Sequence, residues 1–158
     1  AAKALTALTI MREREGKNIE LDLSERAAKA EEYINFIDNH RADLSEAYGQ
    51  RLRTRIAKLL EETGTNVDES RILQEIAVFA DKSDVTEEVV RFKSHVLQLK
   101  KLLTETTDVG RSLDFLLQEM NRETNTIGSK IQDLTITDAV LRLKNELEKI
   151  REQIQNIE

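Results

Sequence analysis

The run Ile136–Ile157, ITDAVLRLKNELEKIREQIQNI, decides the fold. Its apolar residues Ile136, Val140, Leu143, Leu147, Ile150, Ile154 and Ile157 alternate spacings of four and three, the a/d seam of a helix that packs lengthwise on another helix. A half-buried strand would alternate with a period of two, and no stretch of convincing length does so. The seam needs an apolar partner, in this chain or in a neighbouring copy.

The same spacing recurs upstream. Leu113, Leu117, Met120, Ile127 and Ile131 mark a helix over Gly110–Lys130, and Val89, Phe92, Val96, Leu99 and Leu103 mark one that Asp84 and Glu87 are expected to open as a capping box. Ile72, Ile76 and Phe79 mark another, capped by Asp68. Ala27, Ala30, Ile34, Ile37, Leu44, Tyr48, Leu52, Ile56 and Leu59 form one stripe from Ser24 to a stop at Gly64, which predicts a single helix of about 40 residues, near 60 Å long. Leu5, Leu8 and Met11 or Ile10 mark a first helix that Gly16 is expected to close, with Lys17–Leu23 as an extended linker. The predicted fold is all-α, with long antiparallel helices, short connections and hairpins or a bundle. The expected organisation is a helical extension over 1–64 and a C-terminal domain over 65–158.

Composition narrows the class. The absence of proline and the low aromatic content, 4%, favour long aliphatic helices over tight turns. The absence of cysteine excludes disulfides and thiolate metal sites, and a reducing, cytoplasmic setting is the simplest reading. No apolar run reaches the roughly 20 residues that span a bilayer, so a soluble protein is expected. A net charge of −6 argues against a generally basic nucleic-acid clamp, so any RNA must be met by local cationic patches. Ala1 opens inside a helical pattern without a cap, and the chain is read as a fragment of a longer protein.

The helix Gly110–Lys130, GRSLDFLLQEMNRETNTIGSK, carries the unusual chemistry. At about 100° per residue, Gln118, Arg122, Asn125 and Ser129 line up opposite its apolar face, while Glu119 and Glu123 run one turn apart along the flank. A merely solvated face would draw on Lys and Glu; amides, Arg and Ser suggest contact with something polar. Upstream, Glu75 falls between Ile72 and Phe79 and is expected to border the core, where a carboxylate is costly unless paired or metal-bound. Asp81, Asp84, Glu87 and Glu88 follow at the next junction. Oxygen-rich sets of this kind suit Mg²⁺ or Mn²⁺. His40 reads as a surface residue, whereas His95 shares a flank with Glu88 and Arg91 that can orient an imidazole. Arg51, Arg55 and Lys58 form a stripe that either meets phosphates or belongs to a helix-surface charge network. Arg111, Arg122 and Lys130 share the polar helix with the acids, and a guanidinium there can grip a phosphate bidentately.

LDFLLQEMNRETNTIGSK, together with RILQEIAVFADKSDVTEEVVRFKSH (Arg71–His95), the terminal ELEKIREQIQNIE and MREREG near the start, resembles the C-terminal region of the YicC-like endoribonucleases of bacteria. The blocks stand in the family's order and cover nearly the whole chain. The resemblance implies a metal-dependent endoribonuclease module from a larger protein whose N-terminal region lies outside this chain. It further implies ring-like hexamers acting on single-stranded or hairpin RNA, with a trimer or dimer open to the fragment. On that view Glu119, Glu123, Glu75 and His95 hold metal or transfer protons, with Glu88 as a further ligand, and Arg91, Arg122, Lys130, Asn125, Gln118 and Arg111 contact RNA. Ser112 stands where the family commonly has a basic residue, and Thr124 where it has a small or aliphatic one. The competing readings are an oligomerisation scaffold without chemistry of its own, built on the heptads and the long second helix, and a helical adaptor for partner proteins.

Overall fold

The computed structural model describes residues 2–64, 66–104 and 110–156, with side chains from Glu15 onward. The described residues form six helices and no strand: α1 (Ala2–Arg41), α2 (Leu44–Thr63), α3 (Glu69–Lys82), α4 (Thr86–Leu103), α5 (Gly110–Lys130) and α6 (Leu134–Gln155). The chain is all-α, as its periodicity requires.

Four helices close a ring in which α1 packs on α6 and α4, and α5 packs on α4 and α6. Polar pairs across three of the four seams give their directions. Asp38 of α1 meets Lys93 of α4 and Glu31 meets Lys100, so these helices run antiparallel. Arg26 and Tyr33 of α1 face Glu146 and Arg142 of α6 in the same descending order. Lys130 and Glu123 of α5 pair with Glu88 and Arg91 of α4. The core between them is aliphatic, with Phe92, Ile34, Ile37, Leu99, Leu117, Met120, Ile127 and Leu147 fully buried. Each such side chain contributes roughly 1.5–3 kcal/mol through burial.

The α6 seam finds its partner inside the chain. Ile136, Val140, Leu143, Leu147, Ile150 and Ile154 are all buried, against α1 and α5. Leu5, Leu8, Ile10, Met11 and Ile157, expected on apolar faces, lie outside the residues whose side chains are described.

Several local expectations are corrected. Gly16 does not end a helix, and Lys17–Leu23 is not a linker: α1 runs unbroken from Ala2 to Arg41. Only Gly64 has a positive φ among the described residues, and it closes α2 as a left-handed cap whose N–H donates to the Leu60 carbonyl. The stripe from Ser24 to Leu59 is divided between two helices by a turn at Ala42–Asp43. There Arg41 is drawn to Asp38 at 2.8 Å and to the Thr86 hydroxyl at 2.9 Å, tying the end of α1 to the start of α4. Leu44 stays buried in the bundle while α2 turns away to pair with α3, where Tyr48 stacks on Phe79. Ile37 and Leu44 keep the seven-residue spacing across the break, so the pattern hides it.

Asp68 caps α3 as expected, accepting from the Ser70 N–H. The box at Asp84 does not form. Asp84 accepts from the Thr86 N–H at 2.9 Å, but Glu87 turns outward to Arg91 at 2.7 Å instead of reaching back. One core also crosses the expected boundary at 64/65, since Leu23, Ala27, Ala30, Ile34 and Ile37 share it with α4, α5 and α6.

Candidate metal centre

The seam between α4 and α5 holds the site. Val89, Phe92, Val96 and Leu99 anchor α4 in the core, and Leu113, Leu117, Met120 and Ile127 anchor α5. Those anchors fix both rotations, so His95 comes to face Glu119 and Glu123 across the seam. One nitrogen of His95 and one carboxylate oxygen each from Glu119 and Glu123 lie within 4.8 Å of one another. Glu123 is buried; His95 and Glu119 are half-buried.

The polar accounting here is incomplete. His95 Nδ1 is buried and has no hydrogen-bond partner among the described residues. A buried nitrogen without a partner costs about 1–3 kcal/mol. Glu119 and Glu123 are like charges one turn apart, which repel. Among the described residues, the cation paired with this cluster is Arg91, whose Nη1 is 3.6 Å from Glu123 and whose Nη2 is bound at 2.7 Å by Glu87. An imidazole nitrogen and two carboxylates within 4.8 Å of one another are a donor set that could hold a divalent cation. The mixed nitrogen and oxygen donors suit Mn²⁺ better than Mg²⁺, which prefers oxygen alone.

Other expected site residues are placed elsewhere. Glu88 is buried and bound to Lys130 at 2.8 Å, and Lys130 also donates to the Asp84 carbonyl at 3.0 Å. Burial pushes the Glu88 carboxyl up, but the Lys130 hydrogen bond, a backbone N–H and the charges of Lys130 and Arg91 prevail and hold it below its ordinary value. Glu88 and Lys130 therefore lock the end of the seam and stand outside the three-residue cluster. Glu75 does not border the core: it is exposed on α3, which packs on α2 through a narrow stripe, and it belongs to no ligand cluster among the described residues. Gln118, Arg122 and Asn125 are exposed on the next flank of α5, where they line an open groove of about 560 Å³ together with Glu148 and Arg151 of α6. Arg111 lies toward the opposite end of the α4–α5 seam from Lys130. There it lines a cavity of about 460 Å³ with Gln98, Lys101, Leu102, Ser112, Phe115 and Leu116. The sequence pattern does not single out Lys101 or Phe115; the one available signal is that Phe115 falls off the apolar stripe of α5.

Thr124 is fully buried and donates its hydroxyl to the Met120 carbonyl at 2.7 Å, so it adds no unpaired group to the core. His40 is exposed and stacks on Phe36, as a surface histidine would.

An antiparallel helical bundle with an imidazole and two carboxylates gathered on one seam is, as a class, a helical protein with a candidate cation site. A sequence model described as endoribonuclease YicC-like, C-terminal, matches residues 37–158. The chain belongs to that family. A probable endoribonuclease YicC from Clostridioides difficile (strain 630) is 50% identical over 155 residues, covering 98% of this chain and 53% of that protein. A protein of the same description from Haemophilus influenzae is 42% identical over 106 residues, covering 67% of this chain and 37% of that protein. The chain thus spans about half or less of the length of the curated relatives it matches. Among the described residues, no helix is long and apolar enough to cross a membrane.

Proposed function

We propose that this chain is the metal-binding module of an endoribonuclease that cleaves RNA phosphodiester bonds, with His95, Glu119 and Glu123 holding Mn²⁺ or Mg²⁺. The observation that carries the reading is the buried, unpartnered His95 nitrogen beside two close carboxylates. Family membership supports RNA as the substrate, and it supports a cytoplasmic setting in a bacterial cell. A bound divalent ion supplies Lewis acidity at a phosphoryl oxygen and lowers the pKa of a bound water. Glu123, buried, and Glu119, at the rim, fix the charge and direction of the site. Arg91 is half-exposed at the same rim, where a guanidinium can meet charge developing on phosphate oxygens.

The scaffold alternative loses its main support, because α6 spends its seam within the chain. Any contact between copies, including a hexamer of the full-length protein, then uses other surfaces. Two measurements test the proposal. Mn²⁺ titration followed by the resonance of free Mn²⁺ is expected to show binding to the wild type and at least ten-fold weaker binding to His95→Ala, Glu119→Gln and Glu123→Gln. Unchanged affinity in all three removes the site. Cleavage of a hairpin RNA by the full-length protein should require Mn²⁺ and stop with EDTA; cleavage indifferent to EDTA ends the metal-dependent reading.

A further inference from the structure

The cavity at the Arg111 end of the α4–α5 seam has an unusual lining. Phe115 is 61% exposed there, although a phenyl ring is ordinarily drawn inward. Beside it stand Lys101 and Arg111, both exposed and without an ion pair among the described residues. In a chain of net charge −6, two cations left unpaired among the described residues thus flank one exposed ring. Leu102 and Leu116 supply an apolar floor, and Gln98 adds an amide at the wall.

The position matters as much as the composition. Phe115 precedes Glu119 by one helical turn on the same helix, about 6 Å along the axis. That span corresponds to about two stacked nucleotides at roughly 3.4 Å each. The cavity and the His95 cluster therefore lie along the same α4–α5 seam, with the cations at one end and the carboxylates further along.

We infer that this cavity is a nucleobase-stacking subsite that holds single-stranded RNA, with a base on Phe115 and the flanking phosphates on Lys101 and Arg111. The inference rests on the proposed endoribonuclease reading and assigns the residues that would hold its strand beside the metal centre. A flat ring beside free cations is the arrangement that grips single strands without reading sequence. A base already stacked in a duplex cannot offer its face to Phe115, so the subsite selects unpaired segments. A strand held here passes its backbone toward Glu119 and His95, about two nucleotides away.

Because the chain has no tryptophan, Phe115→Trp provides a single fluorescent reporter at the site. Binding of fluorescein-labelled hexa-adenylate is measured by anisotropy for the wild type, Phe115→Ala, Phe115→Trp and Lys101→Ala/Arg111→Ala, with the same strand in duplex form as comparison. The expected result is an affinity loss of about ten-fold for Phe115→Ala, retention by Phe115→Trp, and quenching of its emission by the single strand alone. The double variant should lower the salt dependence by about two phosphate contacts. Phe115 is exposed, so its substitution leaves the fold intact, as circular dichroism will verify. The inference is overturned if Phe115→Ala binds as tightly as the wild type. It is equally overturned if the tryptophan emission ignores saturating single strand, or if the wild type binds duplex and single strand alike. Mn²⁺ titration of the same samples separates the two failures: retained binding through Glu119 and Glu123 with no role for Phe115 sinks only the subsite.

Discussion

Replacing Glu123 by Gln should make the metal-free protein more stable while removing its response to metal. The Glu123 side chain is only 6% exposed, and the nearest guanidinium nitrogen is 3.6 Å away, beyond hydrogen-bond range. At an effective dielectric of about 20, Arg91 offsets about 4–5 kcal/mol, and Glu119, within 4.8 Å, takes back about 3–4 kcal/mol. The surplus of about 1 kcal/mol is smaller than the several kcal/mol that desolvating a carboxylate costs. Gln keeps the shape, removes the charge, and brings an N–H₂ that can donate to the unpartnered His95 nitrogen or to Glu119. The expected gain is about 1 kcal/mol, a rise of about 2–4 °C in melting temperature for a chain of this size. With Mn²⁺ at about one hundred times its dissociation constant, the wild type gains about 2.7 kcal/mol and overtakes the variant. Differential scanning calorimetry in EDTA and in Mn²⁺ reads both effects. A variant that melts below the wild type in EDTA, or that rises equally with Mn²⁺, refutes the reasoning.

Lys130→Met leaves the buried Glu88 carboxylate without its partner and should cost about 1–2 kcal/mol, allowing for the half-open lysine. In the wild type the unfolded chain takes up the Glu88 proton at a higher pH than the folded chain, because the folded carboxyl is held low. The pair's contribution is therefore complete above the ordinary glutamate value of about 4.3 and is lost as pH falls through the lower folded value. Urea denaturation at several pH values should show a shallower acid slope in the variant; identical slopes would remove the pair from the acid limb. Gly16→Ala should stabilise α1 by about 0.5–1 kcal/mol, since its Cβ meets nothing within 4 Å and the helix runs through it. A loss of far-UV ellipticity in that variant would mean that Gly16 ends a helix after all.

How much of this was legible beforehand follows from what a helical pattern encodes. The apolar stripes of α4, α5 and α6 fix which face each helix buries, and the structure buries those faces. The same rotation put Glu119 and Glu123 on one flank of α5 and His95 on a flank of α4, and these three do converge. Glu75 misled because a position between two apolar residues reads as a core border, whereas α3 packs chiefly on α2 and leaves that flank to water. Arg122 and Asn125 share a helix with the acids yet open onto the groove beside α6, because a single helix presents different flanks to different neighbours.

The amino-acid sequence by itself determined that the chain is helical, which side of most helices turns inward, and which residue types are available for a cation. It did so because the 3.6-residue repeat acts within each segment and needs no knowledge of the others. The tertiary structure alone decided that the α6 seam closes within the chain, that α1 parts from α2 at Ala42–Asp43, that Lys130 takes Glu88, and that His95 is left facing two carboxylates. Those outcomes depend on how helices distant in sequence are registered against each other, and that register is set by side chains interlocking across the seams, which no periodicity along one segment records.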